Sequence, residues 1–213
     1  NNNLSISMKN FDKIKNFDHK KGIIEVESGL LLKHLLPIII QKGWFLSVTP
    51  GTKYVSIGGM IANNVHGKNT NKNQTKYYIK NLKLLKLNKK IINCSTNKNK
   101  KIFDLTLGGF GLTGIILSAT LQLKKIQSPY MNQKIYEYSN FFEFFNITKN
   151  IKNYKYSVSW VDHFGDKKIT GLWFLANHSK KIKSNDSIFY KENELGMLSY
   201  LALKIVTTNY YIS

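Results

Sequence analysis

The residues best suited to chemistry lie close together, in a stretch reading TPGTKYVSIGGMIANNVHGKN from position 49 to position 69. A Pro-Gly turn opens it, a Gly-Gly pair follows at 58–59, and a His-Gly stands at 66–67. Gly51, Gly58, Gly59 and Gly67 lack the Cβ that would hold a ligand off the backbone, and they admit φ > 0 where a loop folds back. Between Gly59 and His66 the run MIANN suits a short helical turn with its N-terminal N–H groups left free. Free N–H groups beside glycines make an anion site well suited to a pyrophosphate. His66 and Lys68 add two polar groups just beyond that turn.

Other chemistries find less support. A lone histidine after an apolar residue is usually a loop or core residue; the flanking glycines and Lys68 give His66 a functional reading. No second His, Cys or carboxylate stands near it at metal-ligand spacing. Asp162 and His163 are adjacent and so poorly placed as a catalytic pair, and no nucleophile elbow occurs. Gly109 to Gly114 (GFGLTG) satisfies the GxGxxG dinucleotide fingerprint, but that motif should open a helix and be followed by an acidic residue about 20 positions on. Here the continuation is strand-like, and Glu137 lies past a break at Pro129.

The elements that must position these groups alternate along the chain. Residues 22–28 alternate apolar and polar as a strand does, and 30–42 have helical spacing with Gly43 as a stop signal. WFLSV is a short strand running into the Pro-Gly turn. NLKLLKL and KIINCS read as a hairpin about Asn88-Lys89-Lys90. TGIILSATLQLKKI reads as a further strand, and 139–151 as a helix with Ser139 or Asn140 as its cap. YKYSVSWVD and KITGLWFLAN form two neighbouring strands across the GDKK turn, 179–194 a loop, and 195–211 a helix. The composition shift near Pro129 divides the chain into 1–128 and 129–213.

Composition sets the bounds. With 213 residues, 42% of them hydrophobic, the chain can bury a substantial core. The net charge is +20, yet all the cations are lysine and none is arginine. Arginine is the favoured residue for bidentate phosphate and base contacts. The lysines are also interspersed with Asn, Ile, Tyr and Phe, a pattern of A/T-rich coding. They are read as a solvated surface, with no nucleic-acid partner. Cys94 is the single cysteine, which rules out an intrachain disulfide and a cysteine metal cluster. No apolar run reaches the ~20 residues of a membrane span, and the polar start is not a signal peptide.

The glycine stretch resembles the FAD-binding domain of the FAD-linked oxidases, the vanillyl-alcohol oxidase superfamily with its PCMH-type domain. There a PGT…GG segment wraps the flavin pyrophosphate and a following HG lies near the isoalloxazine. The form VTPGTKYVSIGG…HGKN is most similar to the branch that oxidises the 2'-hydroxyl of a polyprenyl-phosphate-linked ribose, a cell-wall arabinan precursor. GIIEVESG at 22–29, FDLTLGGFGLTGIILSATLQL at 103–123 and YKYSVSW at 154–160 extend the resemblance over roughly residues 4–165.

The resemblance implies an α+β FAD-binding domain over 1–128, followed by the start of an α/β substrate domain over 129–213, in an internal fragment of a longer chain. It implies FAD as cofactor, with the pyrophosphate held by Gly51, Thr52, Ser56, Ile57, Gly58 and Gly59. Asn63, Asn64, Val65 and His66 would run beside the flavin, and Gly111 and Ile116 would pass close to it. His66 and Lys68 would serve catalysis. Together with Gly67 they would also face the substrate, with Trp160 lining the pocket. The activity implied is hydride transfer from a sugar hydroxyl to flavin. The implied partners are a lipid-linked sugar substrate and a short-chain reductase completing an epimerisation, with the protein cytoplasmic or at a membrane periphery. Two departures bear on the substrate: TNKNQTKYYIKN after HGKN is bulkier and more basic than the family pattern, and Val158 replaces a serine. The alternatives are another carbohydrate or aldonolactone oxidase of the superfamily, and a non-catalytic basic binding protein.

Overall fold

Alternation of aliphatic and polar residues builds the strands, and 3.6-residue spacing builds the helices laid on them. The structure, a computed structural model, describes residues 5–67, 78–149, 153–162 and 170–180. All belong to one unit, Asn1–Ile182; a second unit, Lys183–Ser213, lies outside the described residues, as do the expected helix over 195–211 and nearly all of the expected loop before it.

The chain opens with strands β1 (Ile14–Asp18) and β2 (Ile23–Glu27), helix α1 (Leu32–Gln41) and the short strand β3 (Trp44–Phe45). Helix α2 (Ile57–Ala62), the hairpin β4 (Ile79–Leu85) and β5 (Ile91–Cys94), and helix α3 (Lys100–Thr106) follow. Then come β6 (Ile115–Gln122), β7 (Lys124–Lys125), β8 (Met131–Tyr138), α4 (Phe141–Thr148), β9 (Tyr156–Asp162) and β10 (Thr170–His178).

A five-stranded antiparallel sheet runs β1-β2-β6-β4-β5, so the late strand β6 lies at its centre, between β2 and the hairpin. Ile24 and Val26 of β2, Leu82 and Leu84 of β4, and Ala119 and Leu121 of β6 supply the sheet's share of the core. Against it pack Leu35 and Ile39 of α1, Ile57, Met60 and Ile61 of α2, and Phe103 of α3, all 2% exposed or less. At about 25 cal/mol per Å² of apolar surface, this cluster is what fixes α2 on the sheet. The hairpin turns where expected, with Lys89 at φ 62°.

A second antiparallel sheet, β8-β10-β9, begins after residue 130. One of its faces holds Tyr138, Trp173 and Leu175, covered by Phe144 and Ile147 of α4. The Asn140 side chain caps α4 by accepting from the Glu143 N–H at 2.9 Å. A third sheet pairs β3 with β7, and its Phe45 ring lies edge-on to His178 of β10, centroids 5.1 Å apart.

Candidate functional site: a cavity between two glycine segments

Helix α2 starts at Ile57, three residues earlier than MIANN suggests, and takes both glycines into its first turn. A Cβ on Gly58 would stand 2.9 Å from the Ser28 Cβ and 3.1 Å from its carbonyl oxygen. Only glycine lets the helix press so closely on the end of β2. The expected free N–H groups are therefore not free. The Ile57 N–H donates to Leu30 O at 2.9 Å, Gly58 N–H to Ser28 O at 2.7 Å, and Gly59 N–H to the Ser56 hydroxyl at 3.2 Å. The segment just after β2 and the helix's own cap, Ser56, take these donors.

The other end of α2 is tied to the second glycine segment. Gly108 N–H donates to Ile61 O at 3.0 Å and Phe110 N–H to Ala62 O at 2.9 Å, while the Asn63 side chain donates to Gly59 O at 2.8 Å. Gly111 sits at φ 81° with no atom within 4 Å of where its Cβ would be. An L side chain there meets strain rather than a clash. After Gly114 the chain enters β6, not a helix, so GFGLTG is a bend between packed elements and not a dinucleotide fingerprint.

Between the two segments lies a cavity of about 820 Å³. Ser56, Gly58, Gly59 and Asn63 line it from α2, Gly111 and Ile116 from the second segment, and Ser28 from the end of β2. Its volume is that of a small-molecule or cofactor site. None of its described lining residues is ionisable. The Ser28 hydroxyl is buried in a residue only 3% exposed and has no hydrogen-bond partner. A buried hydroxyl without a partner costs about 1–3 kcal/mol, and Ser28 borders the cavity, so its hydroxyl is available to a ligand atom brought beside it. The orphaned hydroxyl, the open space at Gly111 and the absence of charged lining fit a bound cofactor held by backbone and neutral side chains.

Several expected site residues stand elsewhere. Gly51 and Thr52 lie in a loop around the start of α1, where Lys33 N–H donates to Lys53 O and Thr52 Oγ1 accepts from Tyr54 N–H; neither lines the cavity. The Ile57 side chain is in the core and Val65 packs against it. Asn64 takes φ 44° and its Cβ faces Gly108. His66 is exposed beyond α2, Gly67 packs on the Thr49 carbonyl, and Lys68 falls outside the described residues. Val158 and Trp160 are exposed on the open face of β9, away from the cavity lining. Sequence reasoning missed Ser28, although its signal was present: the alternation Ile24, Val26, Ser28 puts a serine on the buried side of β2. No group of three His, Cys, Asp or Glu residues that could hold a metal occurs among the described residues.

A helix pressed on a sheet by its glycines, joined to a second glycine bend around a neutral cavity, defines a cofactor-binding domain. Residues 1–95 match the FAD binding domain family. The fold agrees: the chain superposes on 6-hydroxy-D-nicotine oxidase from Arthrobacter nicotinovorans with a TM-score of 0.66 at 14% identity, over 79% of this chain and 39% of that one. Residues 1–95 of the chain are thus similar to the FAD binding domain family, and the fold is that of a solved oxidase.

Among curated relatives, decaprenylphosphoryl-beta-D-ribose oxidase from Mycolicibacterium smegmatis is 29% identical over 171 residues, 75% of this chain and 35% of the relative. L-gulonolactone oxidase from Mus musculus is 23% identical, over 97% of this chain and 46% of the relative. The chain thus spans less than half the length of either.

Proposed function

We propose that this chain is the FAD-holding part of an oxidoreductase acting on a sugar hydroxyl, with the 2'-hydroxyl of a polyprenyl-phosphate-linked ribose as its substrate. The observation that carries the flavin reading is the cavity between the glycine segments, with the unpartnered Ser28 hydroxyl in its wall. Ser28, Ser56, Gly58, Gly59, Asn63, Gly111 and Ile116 would hold the cofactor. When bound, FAD accepts the hydride that leaves the carbon of the alcohol. The chain supplies position and exclusion of water. Ile116, 7% exposed, closes the cavity floor, and the hydrogen bonds from Gly108 and Phe110 keep the two walls at fixed spacing. His66 is the side chain of the HG pair nearest the end of α2, and we assign it and Lys68 to the substrate side. Trp160 and the apolar face of β9 would border the sugar pocket.

The substrate assignment is supported by the HGKN motif together with the similarity to decaprenylphosphoryl-beta-D-ribose oxidase. The similarity to L-gulonolactone oxidase supports a second reading, oxidation of an aldonolactone. The domain boundary is proposed at 128/129, between β7 and β8, where one sheet gives way to the other. In the lipid-linked reading, a short-chain reductase would complete an epimerisation and the protein would work at a membrane periphery. No helix among the described residues is long and apolar enough to cross a bilayer.

An absorption spectrum before and after acid precipitation tests the proposal. Flavin bands that move into the supernatant are expected for a noncovalent cofactor. A colourless protein that takes up no added FAD overturns the oxidase reading and leaves a basic binding protein.

A further inference from the structure

A second cleft, of about 670 Å³, opens at the joint between the two sheets, away from the glycine segments. Lys124 and Lys125 of β7 border it on one side, and Lys155, His178 and Lys180 on the other. No Asp or Glu is among its lining residues. The neutral polar lining is committed to building the walls. Asn177 accepts from Lys155 N–H through Oδ1 and donates through Nδ2 to Asn153 O, both at 2.9 Å, which pins the 153–155 segment to β10.

One chain of hydrogen bonds orders the floor. The Ser128 carbonyl can only accept, so His178 Nδ1, 3.0 Å away, carries a proton and donates to it. With the ring neutral, Nε2 is left as an acceptor for the Tyr156 hydroxyl at 3.2 Å. Lys124 Nζ then donates to the tyrosine oxygen at 3.5 Å, while also lying over the Tyr156 ring, 5.1 Å from its centroid. These contacts bring Lys124 in from solvent and hold its ammonium beside the cleft. Burial, then the nearby Lys155, push the Lys124 ammonium below the usual lysine range. His178 is likewise depressed, first by burial, with Lys124 and Lys155 adding to it against the raising effect of the Ser128 hydrogen bond.

A solvated lysine face spreads its charges. Here like charges are gathered in a concavity, one of them half-buried, with no carboxylate among the described lining residues to balance them. Such a site gains from an anion, and a phosphate offers enough oxygens to accept from several ammonium groups at once. We propose that this cleft binds a phosphate-bearing anion, with Lys124, Lys155 and Lys180 as its charged contacts. The ligand would bridge β7 and the ends of β9 and β10, and so clasp the two sheets together. The shared chemistry is a phosphate group, carried either by a soluble molecule or by a lipid headgroup. The proposal does not depend on the flavin assignment.

The test titrates the full chain, with FAD present in excess, against inorganic pyrophosphate and against phosphatidylcholine vesicles with and without phosphatidic acid. Lys155→Gln with Lys180→Gln alters two exposed side chains, and Lys9→Gln with Lys20→Gln removes the same charge elsewhere on the exposed surface. Saturable binding that weakens about tenfold or more in the cleft pair, and about twofold or less in the control pair, is expected for a site. Saturation by pyrophosphate identifies a soluble ligand; binding confined to phosphatidic acid vesicles, and lost in the cleft pair, identifies a headgroup. Lys124→Met keeps the stem on Tyr156 and removes the charge, and a folded variant with lost binding is expected. Equal weakening in both pairs, absence of saturation, or full binding by folded Lys124→Met overturns the proposal.

Discussion

Replacing Ser28 with alanine should move stability and flavin affinity in opposite directions. The side chain is 3% exposed, the residue borders the cavity, and its hydroxyl has no partner among the described residues. In the protein without FAD, that hydroxyl is an uncompensated desolvation of about 1–3 kcal/mol, which Ser28→Ala removes. A gain near the lower end raises the melting temperature by about 2–4 °C for a chain of this size. The substitution leaves the β2–α2 contact in place, because Ser28 O, which accepts from Gly58 N–H at 2.7 Å, belongs to the backbone.

With FAD bound the sign reverses. A neutral hydrogen bond between the hydroxyl and the cofactor contributes about 0.5–1.5 kcal/mol, or roughly a two- to tenfold rise in Kd on its loss. Thermal melts with and without FAD, with flavin fluorescence quenching for Kd, measure both. The reasoning is refuted if Ser28→Ala melts lower without FAD while its affinity for FAD is unchanged. That result would mean the hydroxyl serves the fold and faces no ligand.

The remaining predictions touch separate parts of the molecule. Gly111→Ala should lose about 1–2 kcal/mol, the cost of a Cβ at positive φ, in a urea titration, and should retain FAD less well. His66→Ala should keep its flavin spectrum but turn over a sugar substrate about tenfold more slowly, the upper worth of one hydrogen bond; loss of the flavin instead would place His66 in cofactor binding. His178 faces Tyr156, Lys124, Lys155, the Ser128 carbonyl and the Phe45 ring, and its pKa lies below 6.5 in the folded state. Its contribution to stability is therefore fully present above pH 6.5 and declines as the pH falls, because the unfolded chain takes up the proton first; His178→Gln should flatten that slope in urea titrations below pH 6.5. Burial raises the Cys94 thiol to about 11; it should resist alkylation until the chain unfolds, and labelling at the native rate of a free thiol would contradict its burial.

The sequence made the frame legible where one periodicity dominated. Residues 22–28, the hairpin about Lys89 and the pair 154–162 and 168–177 carry period-2 patterns, and each contains a strand. Strands β1 (IKNFD) and β8 (MNQKIYEY) escaped because they are edge strands, β1 with no buried side chain and β8 with one, so burial imposes no alternation on them. Helix α3 hid in the second glycine segment: only Phe103 and Thr106 of its seven residues are buried, too few to print a helical stripe.

The site was harder to read for a related reason. Glycines announce that backbones approach one another, but not which backbones. Gly58 was read as making room for a ligand, and its missing Cβ also makes room for Ser28, whose carbonyl accepts the Gly58 N–H. The lining selected for the cavity includes Gly58 and Ser28 themselves, with Gly59, Asn63 and the bend at Gly111. That selection depends on β6 returning between β2 and β4 to bring residue 111 beside residue 59, a pairing between distant parts of the chain that no local pattern encodes. A glycine motif therefore locates the cavity to within one helix, and the strand order decides which segment stands opposite it.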